Sequence, residues 1–242
     1  MKKLDYMEAW NDAVALARQH REAILAIAGV FLFLPSLLAA QFLPAVELPK
    51  DGDFAGVMAA YNAYFEANWP GILISNLLLT FGGFAIYVLV AQRSASTVGH
   101  ILRITARWFG IFLLANILTG FATLAGLLLF VLPGLYIAAR LSPLPMVIAR
   151  EGERSAATAV RRAWEVTKGN GLAVLAMLMI VLLTGGIVVS VIGLVVGIIV
   201  QLLTSGEGWP LIINLADALA GTAFSLILLL IVAAIYRQLV RG

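Results

Sequence analysis

The sequence contains no cysteine and only two histidines, His20 and His100. A disulfide framework, a thiolate metal ligand and a cysteine nucleophile are excluded, and a histidine-rich metal cage has too few ligands. Charge is scarce too: 12% of the 242 residues are Asp, Glu, Lys or Arg, where soluble domains carry about 25%. Also absent are a GxxxxGK[ST] phosphate loop, an HExxH zinc pair and a GxSxG nucleophile elbow, the residues of ATP hydrolysis and of the commoner hydrolases. What the chain has is apolar surface, 62% of its residues, at a mean hydropathy of +1.00. A soluble globule of that composition would lack polar residues to coat its exterior, so the chain reads as an all-α integral membrane protein forming a single domain over residues 1–242.

A span needs about 20 apolar residues, because the hydrocarbon layer is about 30 Å thick and a helix rises about 1.5 Å per residue. Six transmembrane helices are predicted, over 23–43, 71–91, 108–131, 133–149, 172–203 and 210–236. The third and fourth come from one apolar run, divided into a tight hairpin at Leu132-Pro133-Gly134. The fifth is long enough that it must tilt, kink or emerge.

Orientation follows from the basic residues, which cytoplasmic loops retain and translocated loops lack. Of the 16 Lys and Arg, 14 fall on one face, Lys50 falls on the other and Arg140 lies inside the membrane. Both termini are therefore predicted cytoplasmic. The opposite face carries Glu47, Asp51, Asp53, Glu66 and Glu207, which leaves no basic surface there for nucleic acid. The sequence pI of 9.4 reflects topology. Leu38-Ala39-Ala40 loosely resembles a signal-peptidase site, but the region before it is long and carries Asp5, Glu8, Asp12 and Glu22, so the chain is expected to keep Met1 onward.

Three amphipathic helices are predicted on the cytoplasmic face, over 1–22, 93–107 and 155–168. In the first, Met7, Trp10, Val14 and Ala17 line one side. In the second, Arg93, Ser96, His100, Arg103 and Arg107 oppose Val98, Ile101, Leu102, Thr105 and Trp108. In the third, Ala156, Val160, Ala163, Trp164 and Thr167 oppose Arg154, Thr158, Arg161, Glu165 and Lys168, and Gly169-Asn170-Gly171 stops the helix. Two readings stand: topogenic charge with packing, or a surface for anionic lipid headgroups. On the second, Arg93, Arg103, Arg107, Arg154, Arg161, Arg162 and Lys168 would each contribute about 1 kcal/mol, with Trp164 at headgroup depth. Leu16–Ala26 also aligns without gaps on Val166–Ala176, the trace of a repeat made of one amphipathic helix followed by two spans.

Two ionisable residues fall within predicted spans, Arg140 in the fourth and Asp217 in the sixth. Each would cost about 2.5–3.5 kcal/mol at a helix centre. Pro133 to Arg140 and Pro210 to Asp217 are both seven residues, so both charges are expected about 10 Å below the outer surface, as a pair. The pair would be an interhelical clamp or a polar site facing a cavity. Pro143 and Pro145 then break the fourth span and free carbonyls of the kind that line transporter sites. Asn76, Asn116 and Asn214 are candidate interhelical donors. Gly193 and Gly197 form a GxxxG that could serve a homo-oligomer, and Tyr61, Tyr64, Phe65 and Trp69 form an aromatic belt outside.

Pro133-Gly134-Leu135-Tyr136, Arg140-Leu141, then Arg161-Arg162-Ala163-Trp164 with Thr167 and Gly169 form a combination that resembles the membrane domain attached to some bacterial glycerophosphoryl diester phosphodiesterases, and the related YciC-like inner-membrane proteins. The resemblance implies a six-helix bacterial inner-membrane module. The chain carries no catalytic phosphodiesterase domain and none of its metal-binding carboxylates, so that activity is not implied. No metal or cofactor is expected. The leading expectation is a non-enzymatic protein that engages membrane lipid headgroups as an accessory or scaffold in an envelope or lipid process. The alternative is a small-solute or ion transporter built around Arg140 and Asp217. An intramembrane enzyme comes third, since Ser142, Ser190 and Ser225 have no histidine at membrane depth.

Overall fold

The computed structural model describes residues 3–49, 53–92, 97–203 and 209–240, and its elements there are helices joined by short connections. Ten α-helices run in order: α1 Tyr6–Gln19, α2 Arg21–Ala28, α3 Leu34–Phe42, α4 Phe54–Ala91, α5 Val98–Leu129, α6 Val131–Leu141, α7 Leu144–Glu151, α8 Ala156–Val166, α9 Gly171–Leu203 and α10 Pro210–Val240. Six stretches are long and apolar enough to cross a membrane: Arg21–Phe42, Phe54–Ala91, Val98–Leu129, Val131–Glu151, Gly171–Leu203 and Pro210–Val240. The chain is a multi-pass membrane protein.

Local sequence explains the helix starts. Asp5, Asp53, Thr97 and Ser155 each accept a backbone N–H three residues on, as N-caps do. A single π-helical stretch, Gly29–Phe33, joins α2 to α3. Pro35 follows it and has no N–H to give the carbonyl of Phe31, a break in the ladder that one wider turn accommodates. The Ser36 hydroxyl donates to Leu32 O at 2.7 Å. There α4 comes so close that a Cβ on Gly82 would lie 2.4 Å from Phe31 Cβ.

Packing is concentrated at one end of the bundle. Phe84–Val90 of α4 and Leu230–Tyr236 of α10 are buried on every side, as are Leu144 and Met146–Ile148 of α7. Phe84 stacks on Phe112 of α5 at 4.1 Å between centroids. The short helices α1 and α8 add their small residues here, with Ala9, Ala13, Ala156, Ala159 and Ala163 buried. Arg18, Arg103, Arg150, Arg154, Arg161, Lys168 and Arg237 belong to the same region, which is therefore the basic end. At the other end, Leu194, Val195, Ile198, Leu202 and Leu211 present exposed apolar surface, suited to lipid rather than water.

Several expected boundaries are corrected. The second predicted span is the last part of a 38-residue helix that begins at Phe54 and runs straight through Pro70, so Tyr61, Tyr64, Phe65 and Trp69 sit on the same helix as the span. The predicted amphipathic helix 93–107 is not separate: from Val98 it is continuous with the third span. The helix is unbroken from Val98 to Leu129, with the Thr105 hydroxyl donating to Ile101 O at 2.8 Å. Arg93 lies outside the described residues. In the hairpin, the one non-helical residue is Phe130, with φ −165° and ψ 156°, while Pro133 sits in the first turn of α6, where a missing N–H costs nothing. Gly126 and Gly134 let the two arms meet, since a Cβ on Gly126 would lie 2.8 Å from Gly134 Cα. The fourth span is two helices, broken at Ser142-Pro143, with Pro145 in the first turn of α7. Finally, the face of α1 that packs inward is Ala9, Ala13 and Leu16, whereas Met7 and Trp10 are 69% and 45% exposed. Close helix contact selects small side chains, and the larger ones turn outward.

Candidate functional site

Arg140 occupies the last turn of α6 and is only 6% exposed. Its Nε donates to Thr167 Oγ1 at 2.8 Å, its Nη1 to the Tyr136 hydroxyl at 3.2 Å and its Nη2 to the carbonyl of Trp164. The guanidinium carbon lies 4.0 Å from the Trp164 ring centroid and 5.7 Å from that of Tyr136, and those two rings meet edge to face. Thr167 Oγ1 also lies 3.0 Å from Arg140 O, to which its hydroxyl can donate. Gly171 opens α9 beside this group, and a Cβ there would come within 2.5 Å of Arg140 Cδ.

A buried cation without a carboxylate needs another source of negative potential. Here α6 and α8 both end at Arg140, so their C-terminal carbonyls supply the negative ends of two helix dipoles. Charge-assisted hydrogen bonds and two aromatic faces complete the solvation. The result joins α6, the end of α8 and the start of α9 through one side chain.

The expected Arg140–Asp217 pair does not form. Arg140 abuts Gly171, the first residue of α9, while a Cβ on Gly193 of the same helix would lie 2.7 Å from Asp217 Oδ1. Those glycines are 22 residues apart along α9, which is about 33 Å of helix. The matched count from the outer prolines assumed two spans of full length. However, α6 has 11 residues and ends against the α8–α9 junction, so Arg140 belongs to the basic end and Asp217 to the far one. The polar residues also divide differently from expectation. Asn76 and Asn116 donate to the carbonyls four residues back in their own helices, at 2.8 and 3.1 Å, and only Asn214 bridges helices, to Ala40 O and Gln41 Oε1. Of the GxxxG pair, Gly193 meets Asp217 and Gly197 has nothing within 4 Å.

The predicted basic residues fall into two groups. Arg162 Nε donates to Glu151 Oε2 at 2.9 Å, which raises the guanidinium's pKa further, and the Tyr236 hydroxyl donates to the other carboxylate oxygen at 2.8 Å. Arg162 is therefore committed to holding α7, α8 and α10 together. Arg161 pairs with Glu165 at 3.0 Å on an exposed surface, a contact worth little in water. Arg154 and Lys168 have no carboxylate within ion-pair distance among the described residues, and Arg107 lies over its neighbour Trp108. Beneath α8, between it and the α5–α6 hairpin, a recess of about 500 Å³ is lined by Ala122, Ile137, Leu141, Val160 and Trp164, with Arg161 at its edge.

Residues that sequence reading passed over tie the amino-terminal segment to the same end. Leu4 N–H donates to Asn170 Oδ1 at 2.9 Å, Asp5 N–H donates to Gln238 Oε1 at 3.2 Å, and Gln238 Nε2 donates to Glu8 Oε2 at 2.7 Å. Gln238 is 2% exposed. A glutamine closing an apolar helix was the available signal, since a buried amide needs partners. Glu151 was flagged by nothing but its position before Gly152, which is left-handed at φ 67°.

The family described as the membrane domain of glycerophosphoryl diester phosphodiesterase matches residues 110–241, more than half of the chain. The chain belongs to that family. Within the matched region lie Tyr136, Arg140, Trp164 and Thr167, and Glu151, Arg162, Tyr236 and Gln238. No curated protein and no solved structure matches the chain. Among the described residues no group of three or more His, Asp or Glu side chains is placed to hold a metal.

Proposed function

We propose that this protein is a non-enzymatic bacterial inner-membrane module whose basic end faces the cytoplasm and engages anionic lipid headgroups, as an accessory or scaffold in an envelope or lipid process. The observation that carries this reading is the placement of α8. Arg140 fixes the helix from beneath through Trp164 and Thr167, which leaves Arg154, Arg161 and Lys168 exposed, with Arg161 at the edge of the apolar recess of about 500 Å³. Cations at the rim of an apolar slot are what a phospholipid requires, with phosphate at the charge and chain below it. A helix held by a buried arginine also loses little freedom when lipid binds.

The test is native mass spectrometry of the protein released from its own membrane, with bound lipids identified. One anionic class should be enriched over the source membrane and should fall to the bulk proportion in Arg154→Ala/Arg161→Ala/Lys168→Ala. Bound lipid that already mirrors the bulk membrane, unchanged by the triple substitution, would overturn the reading.

A further inference from the structure

We propose a second lipid site in which one anionic glycerophospholipid binds with its phosphate at the start of α9 and one acyl chain in the groove between α9 and α10. The proposal rests on the lipid-engaging reading above and adds to it a defined place and ligand class.

Two neighbouring cavities carry the argument. The first, about 620 Å³, is a groove between α9 and α10 with Met177, Thr184, Gly185, Val188 and Ile192 along one wall and Ala223 on the other. Along α9 these residues recur at helical spacing over 15 positions, about 22 Å, the dimension of an extended acyl chain. Its lining is almost wholly apolar, and Met7 and Trp10 of α1 close its end. This accounts for the outward turn of those two side chains. The second cavity, about 410 Å³, lies next to Lys3, Tyr136, Asn170, Gly171 and Ala173. Ala173 and Met177 are one turn apart on α9, so both cavities follow one side of that helix, with the Lys3–Met7 segment passing between them.

The second cavity is built for an anion. Its lining includes the first residues of a 33-residue helix and Lys3, both of the sign that a phosphate requires. The Tyr136 hydroxyl accepts from Arg140, and among the described residues its own O–H has no acceptor. That proton is free to be donated to a phosphate oxygen, with the Arg140 charge behind it. A helix from a second copy would fill the apolar groove but leave the cationic cavity empty, whereas a phospholipid fills both.

The test titrates the full-length protein in detergent with phosphatidylglycerol or phosphatidylcholine brominated on the acyl chains. The signal read is the part of the tryptophan quenching that Trp10→Phe removes. Saturable quenching is expected, with half-saturation for phosphatidylglycerol about fivefold below phosphatidylcholine, the effect of one cation near a headgroup. Lys3→Glu should abolish that preference and keep the quenching. Ala223→Phe, a change at an exposed position, should abolish the saturable phase for both lipids, with Ala223→Leu intermediate and circular dichroism confirming the fold of each. Arg154→Ala/Lys168→Ala should leave all of this unchanged, so failure of the α8 reading and failure of this site are told apart. Quenching that tracks bulk bromolipid without saturation and is indifferent to headgroup and to Ala223→Phe overturns the proposal. So does a protein-concentration-dependent dimer that shields Trp10 from lipid.

Discussion

Replacing Arg140 should be among the most damaging single changes available to this protein. Its guanidinium makes three side-chain hydrogen bonds and lies 4.0 Å over Trp164. Hydrogen bonds from a charged donor contribute about 1.5–3 kcal/mol each, and a desolvated cation–π contact about 2 kcal/mol. Against these stands a cost of several kcal/mol for burying the cation. Arg140→Ala removes the cation together with its cost, but leaves a void between three helices and takes the charged donor away from the Trp164 carbonyl, while the Thr167 hydroxyl keeps its backbone carbonyl partners. Removing a large buried side chain of this kind costs about 2–5 kcal/mol, a fall in Tm of roughly 4–20 °C for a chain of this size. Arg140→Lys should recover part of the loss, because an ammonium lacks the planar fork that reaches Thr167, Tyr136 and Trp164 together. The assay is reversible unfolding in mixed micelles followed by circular dichroism, with Thr167→Val closing a double-mutant cycle. A coupling energy of at least about 1 kcal/mol is expected from the charged Nε–Oγ1 hydrogen bond that either substitution removes. An Arg140→Ala protein within about 1 kcal/mol of the parent, the threshold of an ordinary surface change, would refute the clamp, and so would strictly additive effects.

Three further outcomes follow from the same geometry. Arg140→Asp combined with Asp217→Arg should fold no better than the worse single variant, because the two sites lie about 33 Å apart along α9; recovery in the double variant would mean that the charges meet. The hairpin tip is apolar throughout, with Leu128, Leu129, Phe130, Val131 and Leu132 between 64% and 81% exposed, and Phe130 lies 23 residues from Arg107 along the continuous α5, about 34 Å or a full hydrocarbon layer. A single cysteine at Phe130, in a chain with no other, should therefore react with membrane-impermeant maleimide from the side opposite the basic end, and protection from both sides of a sealed vesicle would show that the hairpin stops inside the bilayer. His20, at the α1–α2 junction, is held below its ordinary pKa of 6.5 by burial and by Arg237. Above pH 6.5 both folded and unfolded states are neutral at His20; as the pH falls through 6.5 the unfolded chain takes the proton first, so stability declines until the folded-state value is passed. His20→Gln should flatten that slope, and an unaltered slope in unfolding titrations between pH 7 and pH 5 would assign it to another group.

The amino-acid sequence made the helical, membrane-embedded character of this chain legible, because apolar runs of about 20 residues report span length directly. It also revealed Arg140, Trp164 and Thr167 as one motif, and a helix over 155–168, which in the structure runs Ala156–Val166. Even the internal repeat has a structural counterpart: α2 starts at Arg21 and α9 at Gly171, positions that the Leu16–Ala26 and Val166–Ala176 alignment pairs. Partnership was not legible. Arg140 and Asp217 look alike in one dimension, each seven residues from a proline, and only packing shows that a short α6 carries one to the basic end while the other faces Gly193. The faces of α1 were misassigned for a related reason. Hydrophobicity selects Met7 and Trp10, but close contact between helices selects Ala9 and Ala13.

What the sequence by itself determined is therefore set by local chemistry: which stretches are apolar enough to cross a membrane and where the basic residues gather. What the tertiary structure decided is which buried polar group satisfies which. Arg140 goes to Trp164 and Thr167, Arg162 to Glu151, Gln238 to the amino terminus, and Met7 and Trp10 to the mouth of the α9–α10 groove. The physical reason is that a buried donor or cation accepts any partner of suitable geometry, and that geometry exists only once helices distant in sequence have been brought side by side.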